Sequence, residues 1–289
     1  MKILLTARGF LGSLLERDLK DCGHEVVVMG REYDVRDKNS FSKISKKGGF
    51  DLVIHNASIV SSVKSIDDPY TTYETNLMGT VNVLELCKKN KTPIIFMSSC
   101  KVQPNSRESL GSYGVSKICG ELIVKDYWKI YGVPYIIVRP ASIYGISQDG
   151  TSILGWITWF IKAAIHGYKI DVEGDGEQLR DSIFVEDLVD LIIKMVSTFY
   201  EGANEVYEAG LGISGTISVN WLIDYLQKKV NKPANKHHTL TRRGDPYSLI
   251  MNPEMTMKVW DWKPKYGIKE GIDMIYDYYE KHPELFTKK

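Results

Sequence analysis

Residues 2–12 read KILLTARGFLG, an apolar run that leads into a turn with glycines at positions 9 and 12. The apolar run is typical of a buried strand, and the residues after it predict a helix over 10–21. Gly9 would let a pyrophosphate approach the backbone, Gly12 would let the helix pack closely on the strand, and the helix N terminus would supply N–H donors. The usual first glycine of this fingerprint is Thr6 here, so the fingerprint is incomplete.

Short apolar runs and amphipathic segments alternate through the first half of the chain. They predict strands over 3–6, 25–29, 52–55, 94–98 and 135–138, and helices near 10–21, 37–47, 69–90 and 113–131. Strands that alternate with helices indicate βαβ units and a parallel sheet. After Arg139-Pro140 the pattern changes to a Trp- and Ile-rich helix, a glycine turn at 174–176, and helices near 186–199 and 218–230. The second half therefore predicts a smaller mixed domain that covers a cleft.

The composition is ordinary for a globular enzyme or binding protein. The 289 residues are 43% hydrophobic and 25% charged, with a formal net charge of +1. A charge so near zero gives no support for nucleic-acid binding or for a polybasic membrane surface. The four cysteines have no C-x-x-C spacing and are predicted to be reduced thiols. The N-terminal apolar run is too short for a signal peptide, so we expect a cytoplasmic protein, and we predict no metal site.

A candidate hydride-transfer site lies in the middle of the chain. Ser99 follows the apolar run at 94–98, and Tyr113 and Lys117 occur in YGVSK at 113–117. Their spacing places Tyr113 and Lys117 one helical turn apart on the same face. The lysine is expected to lower the pKa of Tyr113 from its reference value of about 10. Tyr113 could then exchange a proton with a carbonyl or alcohol oxygen to which Ser99 donates a hydrogen bond.

The end of the second predicted strand bears on the choice of cofactor. NAD-binding turns normally carry Asp or Glu there for the ribose 2′-hydroxyl, whereas this chain reads Met29-Gly30-Arg31. Arg31 and Arg8 together could clamp a 2′-phosphate through charge-assisted hydrogen bonds. This pattern favours NADP(H) and leaves NAD(H) as the alternative. Both arginines could also be solvated loop residues.

Ten segments, in this order, resemble the extended short-chain dehydrogenase/reductases, the nucleotide-sugar epimerase/dehydratase family. They are TARGFLG (6–12), DVRD (34–37), DLVIHNAS (51–58), TNLMGTVNVLELC (75–87), IIFMSSCKV (94–102), YGVSK (113–117), VRPASIYG (138–145), GDGEQLRDSIFVEDLVD (174–190), RRGD (242–245) and WDWKP (260–264). The resemblance covers nearly the whole chain. It implies an α/β fold: a Rossmann-like doubly wound parallel sheet with helices on both faces, plus a smaller mixed α/β C-terminal substrate domain. The implied cofactor domain spans 1–145 plus 182–205, and the implied sugar-nucleotide domain spans 146–181 plus 206–289.

The resemblance also implies roles for individual residues in catalysis and cofactor binding. Ser99, Tyr113 and Lys117 would form a catalytic triad, and Asn76, in the helix behind the site, would orient the lysine. Asp34 and Val35 would flank the adenine. The implied cofactor site consists of Thr6, Arg8, Gly9, Phe10, Leu11, Gly12, Arg31, Asp34, Val35, Asn56, Ala57, Ser58, Asn76, Tyr113, Lys117 and Pro140.

The implied substrate residues are Ser99, Ser142, Arg180 and Arg242. The two arginines match family positions that grip the diphosphate of a sugar nucleotide, which suits planar forks that bind phosphate bidentately. Arg180 could instead pair with Asp181 or with a turn acid. An aromatic cluster (Trp156, Trp159 and Phe160) has helical spacing and is predicted to be core between the domains or to stack on a nucleotide base.

Departures from the family pattern bear on the reaction. The family's dehydratases carry Asp-Glu directly after the catalytic hydroxyl, whereas this chain has Cys100-Lys101, so dehydration is not expected. The connection before DVRD is short, as in GDP-fucose synthase and dTDP-4-dehydrorhamnose reductase. The preferred interpretation is therefore NADPH-dependent reduction of a nucleotide-diphosphate 4-keto-(deoxy)hexose. The alternatives are a nucleotide-sugar 4-epimerase with tightly bound NAD and a non-catalytic NADP(H)-sensing protein. The resemblance further implies a homodimer through the helices near 69–90 and 113–131.

Overall fold

The computed structural model describes residues 1–103, 110–146, 148–241 and 244–285. Its helices are α1 (Phe10–Asp21), α2 (Lys38–Ser45), α3 (Ser62–Asp67), α4 (Pro69–Tyr73), α5 (Gly79–Asn90), α6 (Gly111–Tyr131), α7 (Trp156–His166), α8 (Val185–Ser197), α9 (Val219–Val230), α10 (Glu254–Val259) and α11 (Ile268–Lys281). Its strands are β1 (Lys2–Leu5), β2 (Glu25–Val28), β3 (Leu52–His55), β4 (Ile94–Met97), β5 (Tyr135–Pro140), β6 (Ser142–Tyr144), β7 (Ile170–Glu173), β8 (Leu179–Arg180), β9 (Ser182–Phe184), β10 (Glu205–Ala209), β11 (Ile217–Ser218), β12 (Lys236–Thr239) and β13 (Ser248–Leu249).

Six parallel strands form the main sheet in the order β10-β5-β4-β3-β1-β2. The chain starts at β1 and winds outward first to β2 and then, in the other direction, to β3, β4, β5 and β10, which is the doubly wound arrangement. Every residue of β3 and β4 is buried, because helices cover both faces of a parallel sheet. The predicted fold class is therefore confirmed.

Apolar side chains of the flanking helices build one core on each face of the sheet. On one face, Leu15 and Leu19 of α1 pack with Leu188 of α8. On the other, Ile44 of α2 packs with Leu84 of α5. Burying each of these side chains contributes about 1.5–3 kcal/mol. Both faces are covered, so polar side chains with access to a ligand gather at the carboxyl ends of the strands.

The helix predicted over 69–90 is in fact three consecutive segments. A π-type turn, Glu74–Met78, separates α4 from α5. Such a turn inserts an extra residue into the helix and is common at functional sites. Asn76 lies at its centre and is 2% exposed. Its Oδ1 accepts a hydrogen bond from the N–H of Ile59 at 2.7 Å, and its Nδ2 donates one to the Ile59 carbonyl at 3.0 Å. An amphipathic pattern cannot show such a turn, because the hydrogen bonds that favour it come from a distant loop.

The second half of the chain adds small sheets and a separate core. β6 pairs with β9, β7 pairs with β12, and β8 lies between β11 and β13. The second core includes Ile161 of α7, Leu222 of α9 and Ile272 of α11. β10 belongs to the main sheet, and the division of the chain into two domains stays a prediction. Across the described ranges, each helix is too short or too polar to cross a bilayer.

Candidate active site

The turn between β1 and α1 is shaped for a phosphate. Gly9 precedes α1 with a φ of 40°, in the region that favours glycine. A Cβ on Gly12 would overlap the carbonyl oxygen of Ala7 and would lie 2.8 Å from Nδ2 of Asn56. Within the part of the chain that is described, α1 has no side-chain cap and no acidic residue in its first turn. Its N–H groups therefore face no competing carboxylate there, and the turn fits the pyrophosphate of a dinucleotide.

Two side chains hold this turn against the end of β3. Asn56 accepts a hydrogen bond from the N–H of Ala7 at 3.0 Å and donates one to the Ala7 carbonyl at 2.8 Å. Thr6 Oγ accepts from the N–H groups of Asn56 and Ala57, each at 3.0 Å, and lies 2.9 Å from Nδ1 of His55. Thr6 is 3% exposed. Thr6 stands where the fingerprint usually has its first glycine, and its buried hydroxyl stabilises the end of β3.

The end of β2 carries a carboxylate that sequence reasoning missed. The Glu32 side chain folds back so that a Cβ on Gly30 would overlap its carboxylate. That is the place where NAD-binding proteins commonly hold an acid. Arg31 is exposed, and Arg8 is paired with Glu16, with 2.8 Å between Nε and Oε2. Glu32 was missed because it stands two residues beyond the usual position and reaches back across a glycine.

The other predicted cofactor residues lie near this turn or at the ends of neighbouring strands. Asp34 pairs with Arg36 at 2.7 Å, and this interaction holds the pKa of Asp34 below its ordinary value. Val35 is buried, and its carbonyl accepts from Nδ2 of Asn82 at 2.9 Å. The remaining five are half-buried or buried; they are Phe10 and Leu11 at the start of α1, Ala57 and Ser58 after β3, and Pro140 at the end of β5.

The structure brings Ser99, Tyr113 and Lys117 together. Ser99 caps a short 3₁₀ turn after β4, and its Oγ accepts from the N–H of Lys101 at 3.2 Å. Tyr113 and Lys117 lie in the first two turns of α6 and are 8% and 4% exposed. The Tyr113 hydroxyl is hydrogen-bonded to Ser99. A buried phenol, a hydroxyl and an amine in this arrangement can exchange a proton with a carbon-bound oxygen.

Burial dominates the electrostatics of this trio. It raises the pKa of Tyr113 to about 12, although the hydrogen bond with Ser99 acts in the opposite direction. Burial also lowers the pKa of Lys117 to about 7, although Glu121 raises it. Lys117 Nζ donates to the Met97 carbonyl at 2.8 Å and lies 5.9 Å from the centre of the Tyr113 ring. The expectation that Lys117 lowers the pKa of Tyr113 is therefore wrong for this structure, because the amine is directed at a carbonyl and burial outweighs its charge.

Asn76 is connected to the trio through Ser116, and its implied role in orienting Lys117 stays a prediction. Its Nδ2 donates to Ser116 Oγ at 3.0 Å, and Ser116 Oγ in turn donates to the Tyr113 carbonyl at 2.7 Å. Lys117 is held by the Met97 carbonyl. The Asn76 side chain therefore fixes the backbone of α6 between the two predicted catalytic residues.

A buried ion pair lies one helical turn beyond Lys117. The Glu121 carboxylate accepts from Ser98 Oγ at 2.5 Å and from Nε and Nη2 of Arg139 at 2.8 and 2.6 Å. Ser98 directly precedes Ser99, so this network ties the end of β4 to the helix that carries Tyr113 and Lys117. Sequence reasoning missed the network because Glu121 and Arg139 lie in different elements and share no local pattern.

A cleft of about 480 Å³ is lined by Lys101, two residues after Ser99, and by Ser142, Arg180 and Asp245. Arg180 donates to the carbonyls of Leu179 and Tyr247 at 2.7 and 3.2 Å, and its Nη2 lies 2.8 Å from Asp245. Arg180 therefore takes part in an ion pair and also lines the cleft. Arg242 lies outside the described residues.

Asp181 is not the partner of Arg180. Its carboxylate accepts hydrogen bonds from four backbone N–H groups, those of Ser182, Leu211, Gly212 and Met251. Burial nevertheless raises the pKa of Asp181 to about 6. The expected alternative pairing of Arg180 with Asp181 is therefore wrong, and the turn acid is Asp245.

Trp156, Trp159 and Phe160 combine core packing with a place on the wall of the cleft. All three contribute to the wall of the cleft. Phe160 belongs to the core of the second half, and both tryptophans pack against that core. A role in stacking on a nucleotide base stays a prediction.

Comparison with known proteins places this geometry in a family. Residues 3–210 match the model of the NAD dependent epimerase/dehydratase family. A Methanocaldococcus jannaschii protein with the provisional name UDP-glucose 4-epimerase is 28% identical over 94% of this chain and 96% of its own. The CDP-paratose 2-epimerase of Salmonella typhi is 25% identical over 96% of this chain and 99% of its own. The crystal structure of UDP-glucose 4-epimerase from Thermotoga maritima with UDP-glucose has a TM-score of 0.88 at 25% identity, covering 97% of this chain and 99% of that one.

These relatives are named as epimerases, which fits the alternative interpretation better than the reductase that the sequence favoured. The matched family is NAD dependent by its description, whereas a preference for NADP(H) finds no support in these comparisons. The family model spans more than half of the chain. The chain therefore belongs to the NAD-dependent epimerase/dehydratase family and is an enzyme of the extended short-chain dehydrogenase/reductases.

Proposed function

We propose that this enzyme is an NAD(H)-dependent nucleotide-sugar epimerase that inverts a ring carbon, with C4 as the favoured position. One observation carries the proposal: Ser99, Tyr113 and Lys117 lie together at the end of β4 and the start of α6, and Lys101, two residues after Ser99, lines a cleft with Arg180. The similarity to a UDP-glucose 4-epimerase that binds UDP-glucose supports epimerisation over reduction. The turn at Gly9 and Gly12 would hold the dinucleotide, whose nicotinamide would supply hydride transfer from the sugar carbon and back to its opposite face.

The three central residues divide the work at the sugar oxygen. Tyr113 removes the proton from the sugar hydroxyl as the carbon is oxidised and returns a proton when the ketone is reduced. Ser99, hydrogen-bonded to Tyr113, donates to the same oxygen and stabilises its developing charge. Lys117, whose Nζ donates to the Met97 carbonyl and lies 5.9 Å from the centre of the Tyr113 ring, would hold the nicotinamide ribose.

The charges at the end of β2 support NAD(H) rather than NADP(H). The Glu32 carboxylate lies over Gly30, where it would accept from a ribose hydroxyl and repel a 2′-phosphate. Arg8, one of the two arginines expected to clamp that phosphate, is paired with Glu16. Arg31 alone is left in the position to bind it.

The proposal is tested by identifying the cofactor and following the label on the sugar. Purified protein is denatured, and the released dinucleotide is identified by mass spectrometry. The protein is then incubated with UDP-glucose, UDP-glucuronate or a CDP-hexose deuterated at C4 or at C2, and the products are analysed by NMR. We expect bound NAD and an inverted carbon that keeps its deuterium. A protein without cofactor that consumes NADPH only with a 4-keto sugar would identify the reductase instead, and inversion at C2 would correct the carbon.

Two further expectations become part of the same proposal. The main-sheet half binds the dinucleotide and the second half binds the sugar nucleotide, with the boundaries that the resemblance implies except that β10 (Glu205–Ala209) belongs to the main-sheet half. We also propose a homodimer through α4 to α6, because Tyr70 of α4 and Leu122 and Ile130 of α6 are 76%, 61% and 62% exposed and exposed large apolar side chains are frequent at interfaces. Sedimentation that shows only a monomer, with Leu122→Asp sedimenting like the unmodified protein, would reject the dimer.

A further inference from the structure

Lys101, Arg180 and Asp245 form a charge cluster on the wall of the cleft. Lys101 Nζ pairs with Oδ1 of Asp245, and Arg180 Nη2 lies 2.8 Å from Oδ2 of the same carboxylate. The side chains of Lys101, Arg180 and Asp245 are 15%, 8% and 17% exposed. Although burial alone would raise the pKa of Asp245, the two cations hold it below its ordinary value, so the carboxylate is ionised.

The cluster carries one net positive charge, because two cations share a single carboxylate. Lys169 and Asp171, which also line the cleft, pair with each other at 2.8 Å, and Glu173 contributes a further carboxylate to the wall. An incompletely compensated cation in a half-enclosed cleft strongly favours an anionic ligand, since the low local dielectric strengthens the attraction. The two cations on Asp245 therefore mark the part of the cleft that suits the most anionic part of a substrate.

The position of Lys101 connects this cluster to the catalytic turn. Its backbone N–H donates to Ser99 Oγ at 3.2 Å, while its ammonium reaches across to Asp245. Arg180 is fixed from behind by the carbonyls of Leu179 and Tyr247. The two oxygens of the Asp245 carboxylate thus hold the Lys101 ammonium and the Arg180 guanidinium side by side. Two oxygens of one phosphoryl group could bind the same two cations.

We propose that Lys101 is a diphosphate-binding residue of this enzyme and that the Asp245 carboxylate stands where a phosphoryl group binds. The inference rests on the proposed function, because it names a second cation for the diphosphate of the nucleotide sugar. On binding, the phosphoryl oxygens take over the contacts to Lys101 and Arg180, and Asp245 moves aside. Asp245 keeps the two cations correctly placed until the substrate arrives.

The test measures binding of free nucleoside diphosphates, which needs no turnover. Calorimetry with UDP, CDP and GDP first identifies the diphosphate that the NAD-loaded enzyme binds most tightly. Lys101→Met is expected to weaken that affinity by about 10- to 100-fold, the value of a hydrogen bond to a charged group. Lys101→Arg should restore most of it, and the affinity for the matching nucleoside should not change. Asp245→Asn should tighten diphosphate binding, because it removes the competing carboxylate.

Lys229→Met is the matched control, since Lys229 pairs with Asp273 at 2.9 Å in another Lys–Asp pair away from the cleft. It should bind the diphosphate like the unmodified enzyme. Unchanged affinity of Lys101→Met for the free nucleoside diphosphate would overturn the inference. Weaker diphosphate binding by Asp245→Asn would overturn the proposal that the Asp245 carboxylate occupies the phosphoryl position. If Lys101→Met loses diphosphate binding but no nucleotide sugar is epimerised, the inference stands and the proposed reaction falls.

Discussion

Replacing Lys117 with methionine should stabilise the protein at neutral pH, and the gain should disappear in alkali. Lys117 is 4% exposed, and burial lowers its pKa from 10.5 to about 7. The unfolded chain keeps the lysine proton up to pH 10.5, whereas the folded chain releases it near pH 7. Folded protein therefore binds fewer protons within that window, and stability rises with pH across it.

The fall in the pKa of Lys117 sets the size of the change in folding stability. At about 1.4 kcal/mol per pKa unit, the fall from 10.5 to about 7 corresponds to about 5 kcal/mol of stability that is missing below pH 7 and regained towards pH 10.5. Lys117→Met removes this penalty and loses one hydrogen bond, to the Met97 carbonyl, worth about 1 kcal/mol at every pH. The variant should therefore be the more stable by several kcal/mol at pH 6 and should lose that advantage by pH 10.

Urea unfolding of the dinucleotide-free proteins at pH 6, 8 and 10 measures this difference. Lys229→Met is the control, because Asp273 raises the pKa of Lys229 despite its partial burial, and its effect on stability should be flat between pH 6 and 10. A difference between Lys117→Met and the unmodified protein that does not change with pH would refute the reasoning.

Three substitutions test the rest of the site. Tyr113→Phe removes the proton carrier and should lower kcat by about 100-fold or more in a coupled epimerase assay while leaving diphosphate affinity intact; unchanged turnover would favour the non-catalytic sensor. Gly12→Ala introduces a Cβ against the Ala7 carbonyl and should cost about 1–3 kcal/mol in urea unfolding together with NAD retention, whereas Gly49→Ala, which meets no described atom within 4 Å, should cost little; equal effects would contradict the close packing. Glu32→Gln should shift relative affinity towards NADP by about two- to fivefold in fluorescence titrations, and an unaltered ratio would remove Glu32 from cofactor choice.

The sequence predicted those parts of the fold that depend on local pattern. The helix expected over 10–21 is α1 (Phe10–Asp21), and the strand expected over 52–55 is β3. Both follow from the spacing of apolar residues, which reports burial directly. The helix expected over 69–90 was wrong in its middle, because the π-type turn there depends on the hydrogen bonds between Asn76 and the backbone of Ile59.

The candidate site was predictable in its residues but not in its charges. Ser99, Tyr113 and Lys117 were identified from spacing and resemblance, and the structure brings them together. Their pKa directions were not predictable, because burial is a property of the whole fold. The contacts of Lys101 with Asp245 and of Glu32 with Gly30 were missed for a related reason: each depends on where a side chain turns after the backbone has been placed.

The paired hydrogen bonds between Asn56 and Ala7 have a consequence for how the cofactor arrives. Together with the Thr6 hydroxyl they join the loop after β1 to the loop after β3 as one rigid cradle. A ligand that enters a preorganised cradle loses little free energy to ordering the loops. The dinucleotide should therefore dissociate slowly and remain with the enzyme through many turnovers, as a carrier that is reused within the site rather than exchanged with the surrounding pool.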